Sequence, residues 1–196
     1  MSTHIVIQAR CEASRLKNKV IMGMVGQSMI LWTLERASRI SADDITVIMP
    51  DTMQSRLGLG PLVDKHGYQT LIFEGDPNDV LARYNAACVA YQWPDSDTIV
   101  RITGDCPLVD PGLIDDMLDY WNDTDLDYLA LAKEWPDGLD AELFPVWLLK
   151  VCHENADKTY QREHVTPWIW GENNYKTWWT EVFECPFDLS DHKWSV

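Results

Sequence analysis

The feature that most constrains the fold of this chain is a regular alternation of short apolar runs with helical patterns over its first two-thirds. The strand candidates are His4–Ala9, Ile45–Met49, Gln69–Phe73, Thr98–Thr103 and Tyr128–Ala132. The runs are short and mostly apolar or β-branched, which is typical of parallel strands that are covered on both faces. Strand and helix in this order predict an α/β domain with a mostly parallel, doubly wound sheet.

Four segments between these strands carry helical signals, and they begin near Ser28, Leu62, Val80 and Asp110. Ser28 and Asp110 have side chains that favour the N-cap position of a helix, and Pro111 suits the first helical residue. Apolar residues recur at helical spacing in the segments that follow, so each helix should pack one face against the sheet.

The pattern changes after Ala132. The turn signal Asp137-Gly138 precedes a strand candidate that places two acidic residues, Asp140 and Glu142, on one face. The later elements are predicted as a strand at Leu139–Phe144, helices near Pro145–Asp157 and Tyr160–Trp170, and strands at Thr177–Phe183 and Lys193–Val196. Thr166-Pro167 either kinks the second helix or restarts it. We expect one domain over residues 1–196, with a core at 1–132 and a second region at 133–196.

Composition narrows the possible functions. The 196 residues include 31 acidic and 16 basic side chains, a formal net charge of −15. This balance argues against general affinity for nucleic acid or anionic membranes.

No apolar run reaches the roughly 18–20 residues that span a bilayer, and the first residues lack the pattern of a signal peptide. Five scattered cysteines without a C-x-x-C pair indicate free thiols in a reducing compartment. We therefore expect a cytoplasmic protein.

Four of the sixteen basic residues lie in one ten-residue segment after the first strand. They are Arg10, Arg15, Lys17 and Lys19, and Glu12 is the single acid among them. A dense cationic loop at the end of a buried strand, in an acidic protein, indicates a phosphate-binding site. A solvated basic turn is the alternative, and the loop alone leaves both open.

A second cluster follows the strand Thr98–Thr103. Asp105 comes just after this strand, at the sheet edge where open α/β proteins bind ligands. Gly104 permits a close approach of the backbone to a ligand. A carboxylate that faces a cationic loop suits Mg²⁺ bridging phosphate oxygens. The alternative is that Asp105 is an ordinary turn residue.

Taken together, these segments resemble the signatures of nucleotidyltransferases that make CMP-sugars. Gln8 to Lys19 is similar to Q-A-R-x-x-S-x-R-L-P-G-K, and Arg101 to Pro111 is similar to R-I-T-G-D-x-P-L-[IV]-D-P. Further matches are Gly75 with Asp79–Tyr84, Trp135–Phe144 and Arg162–Pro167. In order and spacing the chain resembles cytidylyltransferases of the spore-coat polysaccharide protein SpsF type, which are related to CMP-sialic acid and CMP-Kdo synthetases.

The resemblance implies a GT-A-like nucleotide-diphospho-sugar transferase fold and a Mg²⁺-dependent enzyme. Most of the ten tryptophans lie in the C-terminal half, where they would suit the interface of a homodimer. Such an enzyme moves CMP from CTP to a sugar or sugar acid, releases pyrophosphate and serves surface polysaccharide synthesis. The implied catalytic residues are Arg10, Lys19 and Asp105, with Asp105 as the metal ligand. The implied nucleotide-binding residues are Gln8, Ala9, Arg10, Ser14, Arg15, Lys19, Arg83, Thr103 and Gly104. The implied acceptor-binding residues are Asp137, Asp140, Glu142, Arg162 and His164. For Arg83, a helical i,i+4 ion pair with Asp79 is the alternative.

The chain departs from the family pattern in three places. Glu12 and Ala13 stand where small residues are usual, and Asn18 stands where the family has glycine, although Asn tolerates left-handed geometry. The sequence ends where the resemblance implies an Asp-rich segment with a second metal ligand, so we expect either a shortened chain or a site without that carboxylate. Two alternatives therefore stay open: an inactive nucleotide-binding partner subunit, and a sugar-transferring GT-A enzyme, which would usually carry Asp-x-Asp.

Overall fold

The computed structural model describes residues 1–12, 16–171 and 177–195, and a seven-stranded sheet lies at its centre. The strands are β1 (Thr3–Gln8), β2 (Gly23–Met24), β3 (Gln27–Ser28), β4 (Asp44–Pro50), β5 (Gln69–Phe73), β6 (Thr98–Thr103), β7 (Tyr128–Leu131), β8 (Ala141–Pro145) and β9 (Thr180–Phe183). The short β2 and β3 form a separate hairpin, and the sheet order is β5-β4-β1-β6-β8-β7-β9. Only β8 runs against the others in this described sheet. The predicted mostly parallel sheet is confirmed.

Helices cover both faces of the sheet. They are α1 (Met29–Ala37), α2 (Gly60–Lys65), α3 (Val80–Tyr91), α4 (Pro111–Asn122), α5 (Val146–Asn155), α6 (Thr159–His164) and α7 (Pro167–Trp170). None of these described helices has the length and apolar character needed to cross a membrane. Ile5 and Ile7 of β1 pack with α1 and α4, whereas Val6 between them packs with α3 and α5. Because successive strand residues point to opposite faces, one strand contributes to both core layers. The predicted doubly wound α/β architecture is confirmed.

The connection after β1 leads to β4 on one side of it, while β6 lies on the other side. The loops that leave β1 and β6 therefore separate at the carboxyl edge of the sheet, and this arrangement opens a crevice. Gln8 and Thr103 are the last paired residues, and the Gly104 amide then donates to the Gln8 carbonyl at 2.8 Å. The fold thus brings the basic loop and the Asp105 segment to one place.

Several predicted boundaries need correction. The strand predicted at Leu139–Phe144 begins two residues later, at Ala141. Asp140 lies in the turn before it, because Gly138 has a φ of 103° and Leu139 donates its amide to the Pro136 carbonyl. Asp140 and Glu142 therefore do not share one strand face, and that prediction is wrong.

Of the two alternatives for the predicted helical stretch Tyr160–Trp170, a kink or a restart at Thr166-Pro167, the structure has the restart. The stretch divides into α6 and α7, and Pro167 restarts the chain as the first residue of α7. The predicted strand Lys193–Val196 is not formed over its described residues, because Lys193 makes one isolated bridge to Asp137, a turn residue. Val196 lies outside the described residues.

A buried cluster around His4 holds the amino-terminal edge of the sheet. The His4 ring stacks on Trp93 with centroids 4.2 Å apart, and its nitrogens lie 2.8 Å from Asp44 and 3.1 Å from Asp97. Asp97 also accepts the Ser2 amide at 2.9 Å. Burial by itself would raise the pKa of Asp97, but the Ser2 and His4 hydrogen bonds and the His4 charge outweigh burial and lower it.

Asp97→Asn is expected to destabilise the protein at neutral pH, and the difference should shrink in acid. Because the pKa of Asp97 is lowered by folding, its ionised form stabilises the fold above the unfolded-state pKa of about 3.9. That contribution is lost as the pH falls through the folded-state pKa. Urea unfolding between pH 3 and 7, with the exposed Asp125→Asn as control, measures the effect. A difference that stays constant with pH would contradict this assignment.

Candidate functional site

A cavity of about 600 Å³ opens at the carboxyl edge of the sheet, between the loops that follow β1 and β6. Most of the residues that the sequence singled out lie here. The predicted residues that line the cavity are Gln8, Ala9, Arg10, Lys19, Arg83, Thr103, Gly104, Asp105, Asp137, Asp140 and His164. The basic loop and the Asp105 segment therefore face one volume, as the sequence predicted for the two halves of one site.

Of the four remaining predicted residues, two lie outside the described part of the chain and two have partners away from this cavity. Ser14 and Arg15 fall outside the described residues. Arg162 pairs with Asp79 through Nε at 3.0 Å and Nη2 at 2.7 Å, and so ties α6 to the start of α3. Glu142 lines a second cavity of about 880 Å³, whose walls include aromatic side chains of β7 and β9. Neither Arg162 nor Glu142 is brought to the first cavity.

Some residues that were not predicted from the sequence also belong to this site. Arg101, Glu163 and Ser195 also line the first cavity. Arg101 could have been predicted from the sequence. It lies two residues before Thr103 on the same strand, and residues two apart point to the same face of a sheet. The position of Ser195 could not have been predicted from the local sequence, because Ser195 reaches the cavity through contacts with Asp137, 58 residues earlier in the chain.

A contact across the cavity joins Lys19 to Asp105. Lys19 Nζ lies 2.7 Å from Asp105 Oδ2, although the residues are 86 positions apart. Asn18 directs Lys19 inward, because it adopts a left-handed conformation (φ 60°) and donates its amide to the Cys11 carbonyl at 2.7 Å. The expectation that Asn18 replaces the family glycine in such a turn is confirmed.

Asp105 is held in its ionised form. Burial by itself would raise the pKa of Asp105, but hydrogen bonds from Lys19 and Thr103, together with the Lys19 charge, outweigh burial and lower it. Asp105 is still 38% exposed at its side chain, so a cation in the cavity can reach it. A carboxylate that is charged and accessible is suited to bind a hard metal ion.

Gly104 sets the distance between the two loops. A Cβ at this position would lie 2.9 Å from Ala9 Cβ and 3.0 Å from the Gln8 carbonyl oxygen. Any larger residue would separate the β1 loop from the β6 loop. The close packing of the two loops therefore requires a glycine at this position, and this packing keeps Asp105 next to the basic loop.

Three buried polar atoms around this cavity lack a hydrogen-bond partner within the described chain. They are Gln8 Oε1, Arg83 Nε and Arg101 Nε. The predicted alternative for Arg83, a helical pair with Asp79, is not formed: Arg83 donates to the Pro77 carbonyl, and Asp79 pairs with Arg162. Buried polar atoms without partners are rare in native proteins, so their convergence on one cavity indicates a polar ligand.

Arg83 is 1% exposed and remains a cation at neutral pH. Burial is the main cause that lowers its pKa to about 10, and the charge of Arg10 acts in the same direction. Two like charges held together at the rim of a cavity favour an anion between them. This electrostatic arrangement is the one expected of a phosphate-binding pocket.

Further acidic side chains line the cavity, and Asp137, Asp140 and Glu163 form its acidic wall. Burial raises the pKa of Asp140, and the charges of Asp137 and Glu142 raise it further. Within the described residues, no group of three or more His, Cys, Asp or Glu side chains is placed to hold a metal ion. Mg²⁺ is commonly bound through one or two carboxylates and shared phosphate oxygens. Asp105 fits such an ion when a phosphate ligand completes its coordination.

The segment that contains Trp194 and Ser195 closes the turn Asp137-Gly138, since both residues donate their amides to the Asp137 carbonyl. Gly138 has a φ of 103°, and a Cβ there would lie 2.2 Å from the Ser195 backbone nitrogen. The Ser195 hydroxyl donates to Asp137 Oδ2 at 2.9 Å. Only glycine allows this crossing, which fixes the Asp137 carboxylate at the cavity wall.

A strained turn at Val165 positions the residues on either side of it. Val165 has φ 74° and ψ −61°, and the Thr166 amide donates to the His164 carbonyl at 3.0 Å. This is a γ-turn of the rare, strained form, here at a β-branched residue that is fully buried. It directs His164 into the cavity and the Thr166 hydroxyl to Glu142 Oε1, 2.8 Å away.

The strain at Val165 predicts an unusual order of stability. Val165→Gly should be more stable than Val165→Ala by about 1 kcal/mol, because glycine adopts positive φ without the steric cost borne by alanine. Both variants lose the buried Val165 side chain, so the comparison isolates the backbone effect. Urea unfolding of the two variants measures it. A more stable alanine variant would show that the turn is not strained.

The chain matches the family model for cytidylyltransferases over residues 4–185. It is 34% identical over 177 residues to an uncharacterized protein of Methanocaldococcus jannaschii, which covers 90% of this chain and 70% of that protein. It is 30% identical over 114 residues to the 3-deoxy-manno-octulosonate cytidylyltransferase of Nitrosococcus oceani, which covers 58% of this chain and 42% of that protein. The chain thus spans less than half the length of this second relative.

A solved structure shares the fold. The structure of a cytidylyltransferase from Leptospira borgpetersenii superposes with a TM-score of 0.87 and 27% identity. The match covers 100% of this chain and 81% of that one. The arrangement of sheet and helices described above is therefore that of a nucleotidyltransferase.

Proposed function

This chain belongs to the cytidylyltransferase family, and we propose that it transfers CMP from CTP to a hydroxyl group of a sugar or sugar acid. The observation that carries this proposal is the contact of Lys19 with Asp105 across the cavity. This contact supports the proposal because an ammonium suited to phosphate lies beside a carboxylate suited to a metal ion, at the edge of the sheet where open α/β proteins bind ligands. Arg10 and Arg83 add positive charge to the same volume.

In the proposed reaction a hydroxyl oxygen of the acceptor forms a bond to the α-phosphorus of CTP. The bond from that phosphorus to the β-phosphate oxygen breaks, pyrophosphate leaves, and the hydroxyl proton is released. Such a transfer depends mainly on positioning and on neutralising charge at the phosphates. Arg10 and Lys19 would hold the phosphates, and Gln8 and Arg83 offer unpaired polar atoms to the nucleotide. Bound at Asp105, Mg²⁺ would withdraw charge from the phosphate oxygens.

The acceptor side of the proposed site is the acidic wall. Asp137, Asp140 and His164 line it, and their side chains can hydrogen-bond sugar hydroxyls. The octulosonate relative supports a sugar acid among the candidate acceptors. A role in surface polysaccharide synthesis, Mg²⁺ as the natural ion, a cytoplasmic location and a homodimer remain part of the proposal.

Pyrophosphate release tests this function. The protein is incubated with each of the four ribonucleoside triphosphates, Mg²⁺ and a panel of sugars, sugar phosphates and ulosonic acids. We expect release with CTP that depends on the acceptor and stops when EDTA removes the metal. Equal release with all four nucleotides, or release without an acceptor, would overturn the proposal.

A further inference from the structure

An ion pair outside the cavity joins two of the helices that form its walls. Arg162 on α6 pairs with Asp79 at the start of α3, 83 residues earlier in the chain. We propose that these two are positioning residues for the proposed reaction. Their pair holds the part of α3 that carries Arg83 at a fixed distance from the end of α6 that carries His164. The inference rests on the proposed function, and it assigns a role to two residues that do not line the cavity.

Both partners of this pair lie next to residues that line the cavity. Arg83 follows Asp79 by one turn of α3, and Glu163 and His164 follow Arg162 directly at the end of α6. Arg83, Glu163 and His164 all line the cavity. A change in the separation of Asp79 and Arg162 would therefore move two walls of the cavity relative to each other.

The pair has the geometry of a two-pronged contact. Arg162 Nε lies 3.0 Å from Asp79 Oδ1, and Arg162 Nη2 lies 2.7 Å from Asp79 Oδ2. Two such hydrogen bonds between planar groups fix their relative angle as well as their separation. The two side chains are 21% and 25% exposed, so solvent screens their attraction less than it screens an ion pair on the surface. The pair is therefore suited to hold two helices in one arrangement.

Each partner is also held by a second contact. Asp79 caps α3, because its side chain accepts the Ala82 amide at 2.9 Å. Arg162 Nη1 donates to the His153 carbonyl of α5 at 2.8 Å. The helix α5 is itself fixed, since its Leu149 is buried in the core on this side of the sheet. A single arginine thus joins α3, α5 and α6.

The relative position of the two walls matters for a transfer between two bound substrates. In the proposed reaction Arg83 belongs to the nucleotide side and His164 to the acceptor side, so different helices hold the α-phosphorus and the acceptor hydroxyl. A misplacement of about 1 Å between reacting groups costs on the order of 10²-fold in rate. Loss of the pair should therefore reduce turnover more than it reduces the binding of either substrate.

Steady-state kinetics of three variants test this role. Arg162→Met removes the arginine, and Asp79→Ser keeps a side chain that caps a helix but cannot form a two-pronged pair. The combined variant removes both charges, which guards against misfolding caused by one unpaired charge. We expect each variant to lower kcat roughly 10- to 100-fold while the KM for CTP stays within about threefold. The combined loss should not exceed the larger single loss, because the two residues act as a unit.

Arg56→Met is the matched control. Arg56 forms the same kind of two-pronged pair with Asp51, through Nε and through Nη2 at 2.8 Å, but Arg56 is exposed and does not line the cavity. We expect Arg56→Met to keep kcat within about twofold of the wild type, as surface substitutions usually do.

Hydrogen exchange gives a second readout that does not need turnover. In the wild type, CTP should slow the exchange of amides at the start of α3 and also of those in α6, because the pair transmits the restraint. In Arg162→Met, CTP should still protect α3, but its protection of α6 should fall about tenfold. A pair that only stabilises the fold would instead change the exchange equally with and without CTP.

The outcomes separate this inference from the proposed function. Protection of α6 by CTP that is as large in Arg162→Met as in the wild type would overturn the inference. Absence of that protection in the wild type would do the same, as would a variant kcat within about threefold of the wild-type value. A wild type that releases no pyrophosphate with any acceptor would contradict the proposed function alone, and the exchange comparison would then decide the inference.

Discussion

Replacing Asp105 by Asn is expected to lower kcat/KM at least about 10³-fold while leaving the fold intact. Asn keeps the size of Asp but removes the negative charge that the proposed metal ion needs, and electrostatic groups at reacting phosphates commonly contribute this much. The hydrogen bond from Lys19 can still be accepted by the amide oxygen, so the loops should keep their distance. Pyrophosphate release with CTP measures the loss.

Two controls distinguish a loss of catalysis from a loss of folding stability. Asp188→Asn makes the same change at an exposed residue that does not line the cavity, and it should retain full activity. Thermal unfolding of Asp105→Asn should stay cooperative with only a small fall in Tm, because the ion pair with Lys19 is lost but the Asp105 side chain is 38% exposed. Near-wild-type turnover in Asp105→Asn would remove Asp105 from the mechanism.

Lys19→Met is expected to lower kcat/KM by about 10² to 10³, mainly through weaker CTP binding. A lysine that donates to a phosphate beside a carboxylate contributes a charged hydrogen bond in a partly buried site. The Lys19 side chain is only 16% exposed, so solvent screens its interactions weakly. Steady-state kinetics with varied CTP, together with CTP titration by calorimetry, measure the effect.

The chain offers a matched control two residues away. Lys17 belongs to the same basic loop, but it is exposed and does not line the cavity. Lys17→Met should therefore keep activity within about twofold, as surface substitutions usually do. Equal losses in the two variants would mean that the loop acts through its overall charge, which would contradict a specific role for Lys19.

Local sequence patterns predicted the core of the fold and half of the site. Gln69–Phe73 and Thr98–Thr103 form strands with the predicted bounds, because both runs are short and mostly apolar or β-branched. The site residues on the β1 and β6 loops were also predictable. Parallel strands bring their carboxyl ends to one edge, so two loop motifs suffice to locate the crevice.

The acceptor side was harder to predict, because its geometry depends on long-range contacts. Arg162 was expected at the acceptor, but it pairs with Asp79, 83 residues earlier. Glu142 was expected to meet sugar hydroxyls, but Arg101, Tyr128 and Thr166 occupy its oxygens. No local pattern encodes such partners. Residue propensities likewise do not predict the positive φ of the β-branched Val165. Only the surrounding packing can impose that conformation.

The fate of the CTP phosphates tests the central proposal most directly. The protein is incubated with CTP labelled at either the α- or the γ-phosphate, Mg²⁺ and an acceptor that supports pyrophosphate release, and the products are separated. The α-label should appear in a CMP ester of the acceptor and the γ-label in pyrophosphate, and Asp105→Asn should form neither product. A γ-label found on the acceptor, or an α-label that never leaves CTP with any acceptor, would contradict the account.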